Sequence, residues 1–269
     1  MTLTYEDVPL QVNDVTLSLS TIHHNLTNGQ PPILFLHGFG SCKEDLADIT
    51  IHPALQHRAY IAFDAPGCGH SHCSDLSAVS IPFLVSTAEA ILSYFKIDKF
   101  HLIGHSMGGL TALLLADKHP TRVLSFIDIK GNLAPEDCFL SRQIFTFPSD
   151  HPDEFLDAFI QRTRSAKSYG SALYASTIRA RVRAGAVRAI FESMVHLSDE
   201  VDLLGMFLRL PGKKMFMYGE ENAGLSYLGR LRGEGVELAE IEGSGHFPMY
   251  SNPVEMYRRI ASFFDRFDL

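Results

Sequence analysis

Residues 100–118 read FHLIGHSMGGLTALLLADK. Phe100 to Ile103 is a short run that is apolar on both faces, which suits a strand buried inside a parallel sheet. Met107 to Lys118 carries the apolar recurrence of a helix, and Pro120 stops it because proline cannot continue the backbone ladder. Between them, Gly104-His105-Ser106-Met107-Gly108 is a G-x-S-x-G turn leading from strand directly into helix, so tight that only small residues fit around the serine. The turn lifts the Ser106 side chain clear of the sheet and aims the helix N-terminus at any negative charge developing beside it. Ser106 is therefore the candidate nucleophile.

Working outward, Ile33 to Leu36, Tyr60 to Phe63 and Val123 to Ile129 repeat the doubly apolar run, with a helical stretch over Ile81 to Phe95 among them. That order predicts an α/β fold with a mostly parallel, doubly wound sheet. Val15, Leu17 and Leu19 alternate with Thr16, Ser18 and Ser20, which predicts an opening edge strand. From Gly131 to about Leu210 the alternation stops, and helical stripes take over. One comprises Phe155, Leu156, Phe159 and Ile160; the other, Ile178, Val182, Val187, Ile190, Phe191 and Met194. The sheet resumes at Lys214 to Tyr218 and Val236 to Ile241. The chain closes with a helix opened by Asn252-Pro253-Val254-Glu255, whose buried face is Met256, Ile260, Phe263 and Phe267. The predicted organisation is a core over 1–131 and 211–269 with a helical cap over 132–210 inserted after the sixth strand.

The composition fits one globular unit: 269 residues, 46% hydrophobic and 20% charged, with a formal net charge of −8. An acidic chain offers no general basic field for a nucleic-acid backbone or an anionic membrane, so small molecules are the expected partners. The start lacks a basic, apolar leader, and no run approaches the roughly 18 apolar residues of a membrane span, so a cytoplasmic location is expected. Cys42, Cys68, Cys73 and Cys138 are expected to stay reduced. Cys68, His70, His72 and Cys73 lack the paired spacing of a zinc site and read as a polar turn; neither metal nor organic cofactor is expected. Oligomeric state is not encoded in any of these patterns.

Two further loops carry chemistry. His37-Gly38-Phe39-Gly40 ends the Ile33 strand, where the main-chain N–H of Phe39 joins that of Met107 as a candidate oxyanion donor pair. Gly243-Ser244-Gly245-His246-Phe247 follows the last strand, at the same carboxyl edge of the sheet as Ser106, the edge where open α/β sheets bind ligands. An imidazole there can take the serine proton and return it to a leaving group, so His246 is the candidate general base. Asp64-Ala65-Pro66-Gly67-Cys68-Gly69-His70-Ser71 reads as a structural turn.

With HGFG, DAPGCGHS, GHSMGG and GSGHF in this order, each at a strand end, the chain resembles the α/β-hydrolase superfamily, in the capped branch of esterases, lactonases, carbon–carbon bond hydrolases and haloalkane dehalogenases. The resemblance implies an α/β-hydrolase fold with a helical cap roofing the pocket. Where dehalogenases carry an aspartate nucleophile this chain has Ser106, which implies acyl chemistry: hydrolysis of an ester, thioester or lactone of a hydrophobic small molecule. Carbon–carbon bond hydrolysis with the same triad is the alternative. The resemblance also implies an acid after the sixth or seventh strand, and those slots hold Lys130 and Asn222. Asp128 is the nearest candidate, with Glu220 and Glu221 as alternatives; a carboxylate restored at position 130 is expected to raise activity if that slot is vacant, and not if Asp128 is the working acid. The altered slots also motivate a third reading, a ligand-binding protein without turnover. Within the cap, Arg162, Arg164, Lys167, Arg179, Arg181, Arg183 and Arg188 form a basic stretch, a candidate for attracting an anionic substrate group.

Overall fold

The computed structural model describes residues 3–266; Phe267, expected on the buried face of the last helix, lies outside them. The strands are β1 (Thr4–Val12), β2 (Val15–His24), β3 (Ile33–Leu36), β4 (Tyr60–Phe63), β5 (His72–Cys73), β6 (Phe100–His105), β7 (Val123–Ile129), β8 (Lys213–Gly219) and β9 (Glu237–Ile241). They form one sheet in the order β1-β2-β4-β3-β6-β7-β8-β9, with β5 beside β2. From β4 to β9 all pairings are parallel, while β2 runs antiparallel to β1, β4 and β5. Every residue of β3 and β4 is buried, as strands with helices on both faces require. The expectation that the Val15 strand opens the sheet is corrected: β1 precedes it as the outer member of a hairpin, and β2 is interior.

The helices are α1 (Ile81–Tyr94), α2 (Met107–Lys118), α3 (Pro152–Arg164), α4 (Tyr169–Arg181), α5 (Val187–Glu200), α6 (Leu203–Arg209), α7 (Leu228–Gly233), α8 (Pro248–Ser251) and α9 (Pro253–Asp265). Helices α3 to α6 fall between β7 and β8. The stripe from Ile178 to Met194 is not one helix. Val182 leaves α4 in extended conformation and bridges to Cys68, and α5 starts only at Val187. This break stitches the helical segment to the turn after β4: Gly69 N–H donates to Arg181 O at 2.7 Å and Arg183 N–H to Gly67 O at 2.9 Å. Asn252 caps α9 by accepting from Glu255 N–H. Among the described residues no helix is long and apolar enough to cross a membrane.

Asp64, at the end of β4, is buried and collects three donors: Lys43 N–H, Lys43 Nζ and His70 N–H, each at 2.9 Å. Burial pushes its carboxyl upward, but the neighbouring His37, these N–H groups and the Lys43 ammonium hold it below the usual carboxylate range. The buried pair fixes the chain after β3 against the chain after β4. Asp64→Ala would leave the Lys43 ammonium buried beside a void, with only the half-exposed Glu44 opposite it. The expected loss is about 3–5 kcal/mol, read as a lower midpoint in urea unfolding.

Candidate active site

Register brings the carboxyl ends of three strands level. Gly104 on β6 pairs with Asp128 on β7, and Asp128 with Phe216 on β8. Ser106 N–H then donates to Ile129 O at 3.1 Å, and Lys130 N–H to Met217 O at 2.8 Å. Ser106 itself sits at φ 53°, ψ −119°, a conformation that side chains other than glycine rarely adopt. The packing around it explains why the turn tolerates nothing larger. A Cβ on Gly104 would stand 2.5 Å from Gly108 O, and one on Gly108 would run into the carbonyls of Leu36 and His37. A Cβ on Gly38 would meet Ser106 Cβ at 3.2 Å and His105 Nδ1 at 2.7 Å, so the HGFG loop lies directly against the serine.

Phe39 follows that glycine, and Met107 opens α2, where the first N–H groups have no partner within the helix. Both predicted oxyanion donors thus belong to backbone segments that meet at Ser106. The helical segment between β7 and β8 packs on this loop: the Phe39 ring meets Phe159 edge-on at 5.7 Å and Phe191 at 4.6 Å, with Phe155 joining Phe159 and Phe191.

His246 is half-buried on the loop after β9. Its backbone is held by a residue whose importance the sequence did not reveal, His105, the variable position of the G-x-S-x-G turn. His105 Nε2 lies 2.9 Å from His246 O, and because a carbonyl only accepts, Nε2 carries the proton. Burial lowers the His105 imidazole to about 4, so it is neutral, and its Nδ1 is buried without a partner. His246 is also lowered well below its usual value, by burial first, then by its proximity to the His105 imidazole, with which it cannot share a second proton cheaply, and by the Lys130 cation.

None of the predicted acids reaches the His246 ring, which makes no side-chain hydrogen bond among the described residues. Asp128 is fully buried beneath the first turn of α2; Oδ1 accepts from Gly131 N–H at 2.7 Å, and Oδ2 has no partner. Burial raises that carboxyl to about 7. Its place against Gly109 and Gly131 makes it the brace of the turn after β7, not the partner of His246. Glu220 and Glu221 are exposed and brace the histidine loop through its backbone: Glu220 Oε2 accepts from Gly243 N–H at 2.9 Å, and Glu221 N–H donates to Ser244 O at 3.1 Å. Asn222 Oδ1 is buried without a partner.

Lys130 is not an isolated cation. At φ 49° its backbone turns sharply out of the strand, and Nζ donates to Asp137 Oδ1 at 2.5 Å, both side chains being almost wholly buried. Asp137 also accepts from Tyr227 OH at 3.0 Å and from the N–H groups of Leu133 and Ala134. The sequence signal was present in Ala134-Pro135-Glu136-Asp137, a proline at the first helical position with an acid two residues on. This pair occupies the slot in which a carboxylate at position 130 was expected to act. With Asp137 in place, a glutamate there would set two buried carboxylates together, so restoring an acid requires changing Asp137 as well.

The basic stretch between β7 and β8 is mostly committed elsewhere. Arg179 pairs with Asp153 and Asp157, Arg188 with Asp150 and Glu192, Arg162 lies over the Phe155 ring and Arg183 donates to Gly69 O. Arg181 turns inward, to Tyr250 OH at 3.3 Å and Asp45 at 3.5 Å.

The sequence pattern of the alpha/beta hydrolase family matches residues 33–259. A pimeloyl-[acyl-carrier protein] methyl ester esterase of Aeromonas hydrophila is 34% identical over 112 residues, covering 42% of this chain and 41% of its own. A dihydrolipoyllysine-residue acetyltransferase component of an acetoin cleaving system, from Pseudomonas putida, is 41% identical over 99 residues, 36% of this chain and 26% of its own. The chain spans less than half the length of the curated relatives it matches. Among solved structures, a carboxylesterase from Nitrososphaera gargenis superposes with TM-score 0.76 at 17% identity, covering 96% of this chain and 98% of its own. An N-acyl homoserine lactonase bound to N-hexanoyl homoserine does so with TM-score 0.74 at 15% identity, covering 98% and 97%. These structural matches share the fold.

Lys130→Met leaves Asp137 buried without its cation, and the expected cost is about 3–5 kcal/mol. In the double variant Lys130→Met/Asp137→Asn the capping of Leu133 and Ala134 survives and the orphaned charge is gone. Urea unfolding should therefore show a double-variant loss smaller than the sum of the singles. Additive losses would mean that the two charges do not act as a pair.

Proposed function

Because the chain belongs to the alpha/beta hydrolase family, we propose that it is a serine hydrolase cleaving an ester, thioester or lactone of a small hydrophobic molecule through an acyl-enzyme on Ser106. The observation that carries this reading is the Ser106 backbone at φ 53°, ψ −119°. Strain of that kind costs about 1–3 kcal/mol and persists only where the surroundings enforce it, which Gly38, Gly104 and Gly108 do here. In this scheme His246 takes the Ser106 proton as Oγ attacks the acyl carbon. The N–H groups of Phe39 and Met107 receive the oxyanion, and the protonated imidazole returns its proton to the leaving alkoxide or thiolate. Water then repeats the sequence on the acyl-enzyme. The roof of Phe155, Phe159 and Phe191 favours a hydrophobic acyl or alkyl group. The four free, buried cysteines suit the reducing cytoplasm.

A second reading, ligand binding without turnover, is favoured by one observation: the Lys130 cation lowers His246 and so opposes the imidazolium formed in the transition state. The discriminating experiment is covalent labelling. Wild type should be labelled by a fluorophosphonate and should hydrolyse p-nitrophenyl butyrate, whereas Ser106→Ala should lose both and keep its melting temperature within about 2 °C. Wild-type protein that resists the label at every concentration would remove Ser106 from the chemistry and leave the binding reading.

The depressed His246 fixes the pH dependence. A base lowered below its usual value stays unprotonated into acid, so the acid limb of kcat/KM should fall well below pH 6.5. Removing a nearby cation relieves the imidazolium, so Lys130→Met should move that limb upward in a kcat/KM profile. A limb that stays fixed would mean that Lys130 does not act on the base.

A further inference from the structure

We propose that Tyr174, on cap helix α4, is a positioning residue that sets the oxyanion loop and the histidine loop together, so that docking of the cap and assembly of the catalytic backbone are one event. The inference rests on the Ser106 hydrolase reading for its consequence, but not for its geometry. The Tyr174 hydroxyl donates to the Phe39 carbonyl at 2.6 Å, in a fully buried contact between residues 135 apart in the chain. The carbonyl of Phe39 and its N–H, the oxyanion donor, flank one Cα, so a bond that fixes the first restricts the direction of the second. Such close approach needs the adjacent glycine: at Gly40, φ +70°, a Cβ would stand 2.8 Å from the tyrosine oxygen. Burial pushes the Tyr174 phenol well above its usual range, so the hydroxyl remains a donor throughout the working pH.

The other face of the same ring holds the histidine loop. Tyr174 stacks on Phe247, the residue after His246, with ring centroids 4.3 Å apart and planes 29° apart. Phe247 also packs against His105 at 5.5 Å and stacks on Tyr250 at 5.7 Å. Tyr250 OH donates to Asp45 at 2.7 Å, and Asp45 faces Arg181, two helical turns beyond Tyr174 on α4. One helix therefore grips the core twice along one face, by a hydroxyl and ring at Tyr174 and by a guanidinium at Arg181. A cap that swung away would release the Phe39 carbonyl and uncover Phe247 in the same movement.

The test separates the two contacts and does not depend on turnover. Tyr174→Phe removes the hydroxyl and keeps the stack; Tyr174→Ala removes both. Hydrogen exchange by mass spectrometry on the unliganded full chain should show residues 37–41 exchanging at least tenfold faster in Tyr174→Phe, with 243–250 unchanged. In Tyr174→Ala both segments should accelerate. On p-nitrophenyl butyrate, Tyr174→Phe should lower kcat on the order of tenfold with KM within twofold, and weaken a boronic acid adduct of Ser106 by a similar factor. Unchanged exchange at 37–41 in Tyr174→Phe, or an Ala variant that loosens only α4, would overturn the proposal and leave Tyr174 as packing. If wild type neither turns over nor takes a fluorophosphonate, the hydrolase reading fails, while the exchange pattern still decides the positioning.

Discussion

The close approach of α2 to the ends of β3 and β6 is the constraint on which the site depends. Gly104 and Gly108 leave no room for a side chain, and the first turn of the helix consequently lies against the carbonyls of Leu36 and His37. That contact throws Ser106 into a conformation that the rest of the chain must enforce, and it delivers the Met107 N–H to the same point as the loop of Phe39. Gly38 completes the enclosure from the side of β3. The candidate nucleophile, the two candidate backbone donors and the start of a helix dipole are therefore products of one steric arrangement, before any titratable group is considered.

The electrostatics beside that arrangement are unusual in kind. His246 and His105 are both lowered by burial and, to a lesser degree, by the Lys130 cation, so the site favours a neutral imidazole in the resting protein. Lys130 is tolerated there because Asp137 neutralises it across a short buried bond, and Asp137 is in turn satisfied by Tyr227 and two backbone donors. Burying a lone ammonium would be costly; in a fully bonded pair the mutual attraction and the hydrogen bonds offset much of that desolvation. The consequence is an imidazole whose orientation comes from its backbone, held by His105, and from the aromatic stack beside it, and not from a carboxylate on its ring.

The helical segment between β7 and β8 enters the same network through α4. Its docking to the turn after β4 is made of backbone hydrogen bonds around Cys68 and Val182, which fix the end of α4, while Tyr174 and Arg181 project from that helix into the core. The basic character of this segment, conspicuous in the sequence, is largely spent on surface ion pairs of small energetic weight.

The sequence by itself determined the parts that follow from contiguous residues. Doubly apolar runs marked β3, β4, β6 and β7, the glycines around Ser106 marked the strained turn, and Asn252-Pro253 marked the start of α9, because buried faces, tight turns and caps are local constraints. β1 escaped notice because it is an outer strand with only Val8 and Val12 buried, too sparse for a period of two to register. The tertiary structure alone decided what the side chains near His246 do. Asp128 stands beside Lys130 in sequence yet faces the underside of α2, whereas Asp137, seven residues on, is the residue that meets the lysine. Tyr174 reaches Phe39 across 135 residues and Tyr250 reaches Asp45 across 205. Pairings of that length depend on how the layers pack, and a lysine or tyrosine carries no mark in its neighbours of which distant oxygen it will find.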